Sequence, residues 1–364
     1  MQSPLLIHIL STNRWSGVSR YALDICTHFH NNGWDVAVVT RDAKVVDKPF
    51  EKEGIRLLHA PFRGMFDYRS LLFLTRLFKQ NSGRPIVLHV HGFRNACTAL
   101  LARRLARRHD IREVMTRHKV RKGIDTWLFR KIYGKLDAII FVSRLACHRF
   151  LSTWHDIPYP FPEEKLHVIH NSLLHTPENP APRQQKGPVI AMYHGQLKPG
   201  RGLEDLIDAL SLLKNSRLRL RIDGKGNPDY LDRLRRRAQT RGVMEMIDWQ
   251  RNADNSLALI LDSDFGVLPS RIEEAFGLSN LRFMACRRPQ VCTSNGAQPE
   301  YITDGAEGFL VSPGNPAVLA EAMKRLVADS ELRMEMGRRA RKTFEDSLSW
   351  ETFADRLSKI YLNS

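Results

Sequence analysis

The chain has 364 residues, a net charge of +17, 43% hydrophobic residues and 9% aromatic residues. That length exceeds one ordinary domain and that apolar content builds packed cores, so a disordered chain is excluded and two domains are expected. No apolar run reaches the roughly 18 residues of a membrane-spanning helix, and five scattered cysteines (Cys26, Cys97, Cys147, Cys286, Cys292) without metal-ligand spacing fit reduced, buried thiols in a cytosolic protein.

In chain order, short apolar runs alternate with segments of helical spacing, the pattern of a parallel sheet covered by helices on both faces. The first run, Leu5–Leu10, follows no basic segment and reads as a strand, not a signal peptide. A loop containing Gly17 leads from it to a helix over Ser19–Asn31. Further strands are expected at Val36–Thr40, Ile55–Leu58, Ile86–Val90, Glu113–Thr116 and Ala138–Val142. Helices are expected at Leu71–Gln80 and Ala96–Arg108. His89 and His91 close one strand and His118 another, and polar residues at the C-terminal ends of such strands face the ligand side. His89 and His91 share a strand face, yet no third ligand stands near them in sequence, so no metal site is predicted.

Between Leu101 and Lys135 there are twelve Lys or Arg residues against three acids, a local charge of +9. Such a patch seeks a polyanion. Trp127 to Tyr133 mixes aromatic and aliphatic residues with Arg130 and Lys131, which suits an anionic membrane surface. No nucleic-acid-binding motif or stacking set accompanies the charge, so nucleic acid is not expected as a partner.

Three prolines between His155 and Pro162 mark an extended connector. The alternation restarts after a Pro-rich stretch at Pro177–Pro188. Strands are expected at Val189–His194, Leu218–Ile222, Met246–Trp249, Phe265–Leu268, Gln290–Thr293 and Phe309–Val311, and the tail Ser347–Leu362 has the spacing of an amphipathic helix. The expected domains are therefore 1–160 and 161–346, with a final helix over 347–364. Two doubly wound α/β domains facing across a cleft are the predicted fold class, with ligands at the C-terminal ends of the strands.

Three loops of the second half carry candidate chemistry. His194 to Gly202 reads H-G-Q-L-K-P-G-R-G, with cations Lys198 and Arg201 between a strand and a helix. Asp223 to Gly226 is a D-G-K-G turn after a strand. Pro269 to Ala285 places Glu274, Phe276, Gly277 and Leu278 where a strand gives way to a helix. A helix start offers backbone N–H groups to phosphate, and a carboxylate suits sugar hydroxyls, which are donors.

The order of these loops resembles retaining glycosyltransferases of the family 4 type, with a GT-B fold, and the resemblance covers nearly the full length. It implies transfer of a sugar from a nucleotide-diphosphate donor to a glycan or lipid-linked acceptor, with no cofactor and no metal. It also implies an acceptor-binding first domain, a donor-binding second domain, and a last helix that returns to the first. By that resemblance Arg201 grips the donor diphosphate, Glu274 holds the sugar, and His118 reaches the sugar's outer edge. Gly17, His91, Gln196, Lys198, Gly224, Gly226, Phe276, Gly277, Leu278 and Arg282 line the donor site. Three positions depart from the family: Ser16 replaces the first glycine of the first loop, Gln196 replaces an arginine, and Arg282 replaces a second glutamate. A guanidinium has no acceptor for ribose hydroxyls. The alternative reading is a non-catalytic relative whose donor site has decayed. An enzyme of cell-surface glycan synthesis, cytoplasmic and peripheral on the inner membrane face, is the expectation.

Overall fold

The computed structural model describes all residues except 1–3, 66, 155–157, 160, 184–186, 251–255 and 363–364. Parts of both Pro-rich connectors therefore lie outside the described residues. The chain divides into two units, one of Met1–Leu174 with Glu351–Ser364 and one of His175–Trp350.

In the first unit the strands are β1 (Leu5–Ile9), β2 (Asp35–Thr40), β3 (Arg56–His59), β4 (Ile86–Val90), β5 (Ile111–Arg117), β6 (Ala138–Phe141) and β7 (Leu166–Val168). They form a parallel sheet in the order β3-β2-β1-β4-β5-β6-β7. Helices α1 (Gly17–Asn31), α2 (Lys44–Lys52), α3 (Tyr68–Gln80), α4 (Phe93–Leu105), α5 (Trp127–Lys135) and α6 (Arg144–Leu151) fill the crossovers. Parallel strands covered on both faces read as continuous apolar runs, and every residue of β1 (LLIHI) and β4 (IVLHV) is buried. The two histidines inside these runs, His8 and His89, are the polar exceptions.

The predicted helix over Ala96–Arg108 runs instead from Phe93 to Leu105. Arg107 adopts a positive φ of 55°, and the Arg108 N–H closes back on the Arg103 carbonyl. The buried Arg108 guanidinium then donates to the carbonyls of Phe78, Asn81 and Arg84 and pairs with Asp110. Arg103 binds Asp137, and Arg117 lies 4.4 Å over the Phe150 ring. Part of the basic stretch is thus structural.

The first unit extends past the expected boundary at 160. β7 pairs with β6, Ile139 opposite Leu166, so the chain up to Leu174 stays with the first sheet. At the other end the tail is split: Ser347 ends one helix, and a new one begins at Trp350.

The second unit holds β8 (Val189–His194), β9 (Leu218–Asp223), β10 (Ile247–Gln250), β11 (Phe265–Leu268), β12 (Gln290–Thr293) and β13 (Gly308–Val311), parallel in the order β10-β9-β8-β11-β12-β13. Its helices are α7 (Leu203–Ser211), α8 (Pro228–Thr240), α9 (Ser256–Leu261), α10 (Leu278–Ala285), α11 (Pro316–Ala328) and α12 (Ser330–Ser347). The last helix, α13 (Trp350–Leu362), belongs from Glu351 onward to the first unit. There Phe353 meets Tyr21 at 5.6 Å, and the Ile360 carbonyl accepts from Arg112 at 2.5 Å. Both sheets reverse their strand order next to their first strand, between β1 and β4 and between β8 and β11. Such switch points open a crevice at the carboxyl ends of the strands.

Candidate functional site

At the first switch point β1 and β4 run in register, with His8 opposite His89. His91 follows β4 on the same side, and His118 follows β5. Their rings form a layer: His8 and His89 are 4.6 Å apart, His89 and His91 4.6 Å, and His91 and His118 5.4 Å. Tyr21 of α1 stands edge-on to His118 at 4.8 Å. A cavity of about 360 Å³ opens above this layer, lined among others by Ser11, Thr12, Ser16, His91, His118 and Lys119. Burial holds His8 and His118 down at about 3, and drives His89 and His91 well below the ordinary histidine range, with neighbouring imidazoles adding to the effect on both. A buried imidazole loses hydration when it charges, so these rings are neutral at pH 7.

The predicted residues fare differently here. His118 and His91 are on the cavity wall, but both nitrogens of His91 are engaged, Nε2 with His8 at 3.0 Å and Nδ1 with His118 at 3.2 Å. Gly17 opens α1 on the exposed surface beside the cavity. Ser16, which stands in place of the family's first glycine, caps that helix by accepting from the Ser19 N–H. The third imidazole that sequence spacing did not supply is His8, brought in by strand register. Ligand atoms of His8, His89 and His91 lie within 4.8 Å of one another. Both nitrogens of His89 are already satisfied, by Tyr361 Oη at 2.5 Å and Thr116 Oγ1 at 2.7 Å.

In the second unit, the loop after β8 and the loop after β11 are joined: the Arg271 N–H donates to the Gly200 carbonyl at 2.9 Å. Gly202 caps α7 with φ of 73°, and a Cβ there would overlap the Pro269 carbonyl oxygen, so only glycine fits. These loops bring two predicted residues together, for Arg201 and Glu274 form an ion pair. Burial lowers the proton affinity of the Arg201 guanidinium, and its Nε is buried with no partner among the described residues. Arg271 is held separately by Asp205 at 2.6 Å. Gln196 and Lys198 are exposed on the same loop, and the Gln196 carbonyl accepts from Tyr193 Oη at 2.8 Å.

Gly224 and Gly226 are explained by backbone contact inside the protein. A Cβ on either would strike the carbonyl of Gly195 or Leu197, and the Leu197 N–H donates to the Lys225 carbonyl at 2.8 Å. They brace the Arg201 loop from below. Phe276 buries its ring against Tyr301 at 4.9 Å. Gly277 caps α10 with φ of 87°, so Leu278 starts the helix; the Asn280 N–H closes on the Gly277 carbonyl at 3.0 Å, and the N–H groups of Leu278 and Ser279 are left without an intrahelical partner. Arg282, one turn into α10, donates to His194 Nε2. A guanidinium only donates, so His194 carries its proton on Nδ1 and donates a hydrogen bond from it to Asp223, 3.0 Å away. Ser256 donates to the same carboxylate at 2.9 Å. The donor-site position expected of Arg282 thus competes with a link that ties α10 to the ends of β8 and β9. No sequence spacing signals that link, since its members are 88 and 29 residues apart.

Residues 176–343 match the family model of glycosyl transferases group 1, and residues 15–174 match that of glycosyltransferase family 4. The chain belongs to the family 4 glycosyltransferases of the group 1 type. Among its relatives is the glycogen synthase of Mycobacterium tuberculosis, 26% identical over 95% of this chain and 91% of that one. A glycosyltransferase of Rickettsia africae superposes with a TM-score of 0.85 at 18% identity, covering 100% of this chain and 99% of that one. Anabaena Alr3699/HepE, solved in complex with UDP and glucose, gives 0.80 at 15% identity over 99% of both chains. The fold is GT-B, and the activity of the enzyme is glycosyl transfer. Among the described residues no helix is long and apolar enough to cross a membrane.

Proposed function

We propose that this glycosyltransferase takes a hexose from a nucleotide-diphosphate sugar and passes it, with retention at the anomeric carbon and without a metal ion, to an acceptor in cell-surface glycan synthesis. The observation that carries the reading is the Arg201–Glu274 pair at the junction of two glycine-shaped loops. Arg201, with Lys198 beside it, neutralises the diphosphate, and the N–H groups opening α10 add to that stabilisation where charge develops. Glu274 accepts from sugar hydroxyls. The acceptor oxygen bonds to the anomeric carbon on the face from which the diphosphate leaves, and its proton passes to a leaving phosphate oxygen. No second carboxylate is needed for this route. The UDP and glucose in the Anabaena structure put uridine donors first in any trial.

A thermal-shift screen with nucleoside diphosphates and their sugars, each with and without chelator, tests this. One nucleotide should raise the melting temperature equally in both conditions, because a ligand at 100 times its Kd adds about 2.7 kcal/mol. A flat screen would support the alternative, a non-catalytic relative with a decayed site.

A membrane-facing role for the first unit rests on a second observation. Leu101, Leu105, Ile124 and Trp127 are exposed among Arg104, Arg107, Lys131 and Lys135, and Trp127 is 71% exposed with Lys131 4.6 Å over its ring. This mixture suits the headgroup region of an anionic leaflet on the cytoplasmic side. Vesicles containing anionic lipid should retain the enzyme at low salt and release it as salt rises; no retention at low salt rules the role out.

A further inference from the structure

Three histidines of the first unit are joined nitrogen to nitrogen. His8 Nδ1 meets His91 Nε2 at 3.0 Å, and His91 Nδ1 meets His118 Nε2 at 3.2 Å. His89 stacks beside this line, and its own two nitrogens are spoken for by Tyr361 and Thr116. At the inner end, His8 is 0% exposed and its Nε2 has no hydrogen-bond partner among the described residues. At the outer end, His118 borders the cavity, and its Nδ1 has no hydrogen-bond partner among the described residues.

A neutral imidazole has one N–H and one lone pair. Each link in the line consumes one of each, so the three protons move together and only two arrangements exist. In one, His118 offers a lone pair to the cavity, and His8 then buries an N–H that nothing receives. In the other, every ring carries its proton on Nδ1, His118 offers an N–H to the cavity, and His8 buries only a bare lone pair. An orphaned buried donor loses its full hydration, about 1–3 kcal/mol, and orphaned N–H groups are the rarer defect in native proteins. The second arrangement is favoured.

We propose that His8 and His91 are positioning residues that hold His118 as the neutral Nδ1–H tautomer, an uncharged hydrogen-bond donor presented to an acceptor oxygen of the ligand in this cavity. The depth of the line keeps all three rings neutral. The ligand class is one with exposed oxygen lone pairs, such as a sugar hydroxyl. This part rests on the glycosyl-transfer reading above, whereas the tautomer itself does not.

Long-range imidazole ¹H–¹⁵N correlation spectra of histidine-labelled enzyme, recorded at pH 7 without substrate, test the proposal. His118→Asn identifies the His118 signals by their loss. Free imidazole prefers Nε2–H, so an Nδ1–H signal for His118 is the mark of the line. His91→Phe removes both links and should return His118 to Nε2–H. His91→Gln, whose amide both donates and accepts, should keep a larger Nδ1–H share. Nε2–H at His118 in the unaltered enzyme overturns the proposal and needs no variant. So does an Nδ1–H signal that His91→Phe leaves untouched in a protein that still melts cooperatively. Because no donor is present, a flat nucleotide screen and a wrong tautomer are separate failures.

Discussion

At the switch point of the first unit, polar side chains are imbedded in the strands themselves, and they are neutral rings: His8 and His89 inside β1 and β4, His91 and His118 just beyond. At the switch point of the second, the pair Arg201 and Glu274 stands on loops past the strand ends and is charged, while Arg271 of the same loop is held by Asp205 of α7 and Arg282 of α10 donates to His194 at the end of β8. Depth decides the difference. The imidazoles inside the covered sheet stay neutral because charging would cost them their hydration, whereas Arg201 and Glu274, on glycine-shaped loops, keep part of their surface in water. One scaffold therefore presents two kinds of polar group, neutral imidazoles in the first unit and a charged pair on loops in the second.

The sharpest way to separate the two is through their glycines. Gly202→Ala forces a Cβ into the Pro269 carbonyl at a φ of 73°, so it should cost about 3 kcal/mol or more in a denaturant melt. Gly17→Ala, at the exposed first position of α1, should change the same melt by less than about 0.5 kcal/mol. Equal costs would break the contrast. Next in size, Glu274→Gln keeps the shape but removes the charge facing Arg201. Turnover should fall roughly 100-fold while the melting temperature barely moves; unchanged turnover would remove Glu274 from the machinery.

A third test concerns pH. The folded His8 stays neutral down to about 3, while the unfolded chain takes up its proton near the ordinary 6.5. The unfolded state binds more protons between these values, so this contribution to stability is complete above pH 6.5 and drains away as the pH falls toward 3. The limiting slope is about 1.4 kcal/mol per pH unit for this one histidine. His8→Asn should flatten the acid limb of a melting-temperature profile. A limb as steep as before would mean that the buried rings do not govern acid stability.

Much of the fold was legible because covered parallel strands write themselves as apolar runs. Thus β4, β8, β11 and β12 occur at the expected residues, and β1 and β2 within a residue of them. Arg201 and Glu274 were legible because loop motifs are local. The rest depended on register and distance. His8 lies 83 residues from His91, and only the pairing of β1 with β4 brings it near. The glycines at 224 and 226 looked like ligand-approaching turns, yet what approaches them is the protein's own backbone. The charge of the basic stretch was counted correctly, but a count does not separate Arg108, bound to three carbonyls, from the exposed Arg104.

The hydroxyl of Tyr361 closes the histidine layer from α13, 272 residues after His89. During synthesis the first sheet emerges early and can collapse as a unit, but His89 lacks that partner until the second unit, His175–Trp350, has been made and α13 follows it. Completion of the N-terminal site is thereby tied to synthesis of the whole second unit, and Tyr361→Phe leaves a buried imidazole nitrogen unsatisfied in a sheet assembled hundreds of residues earlier.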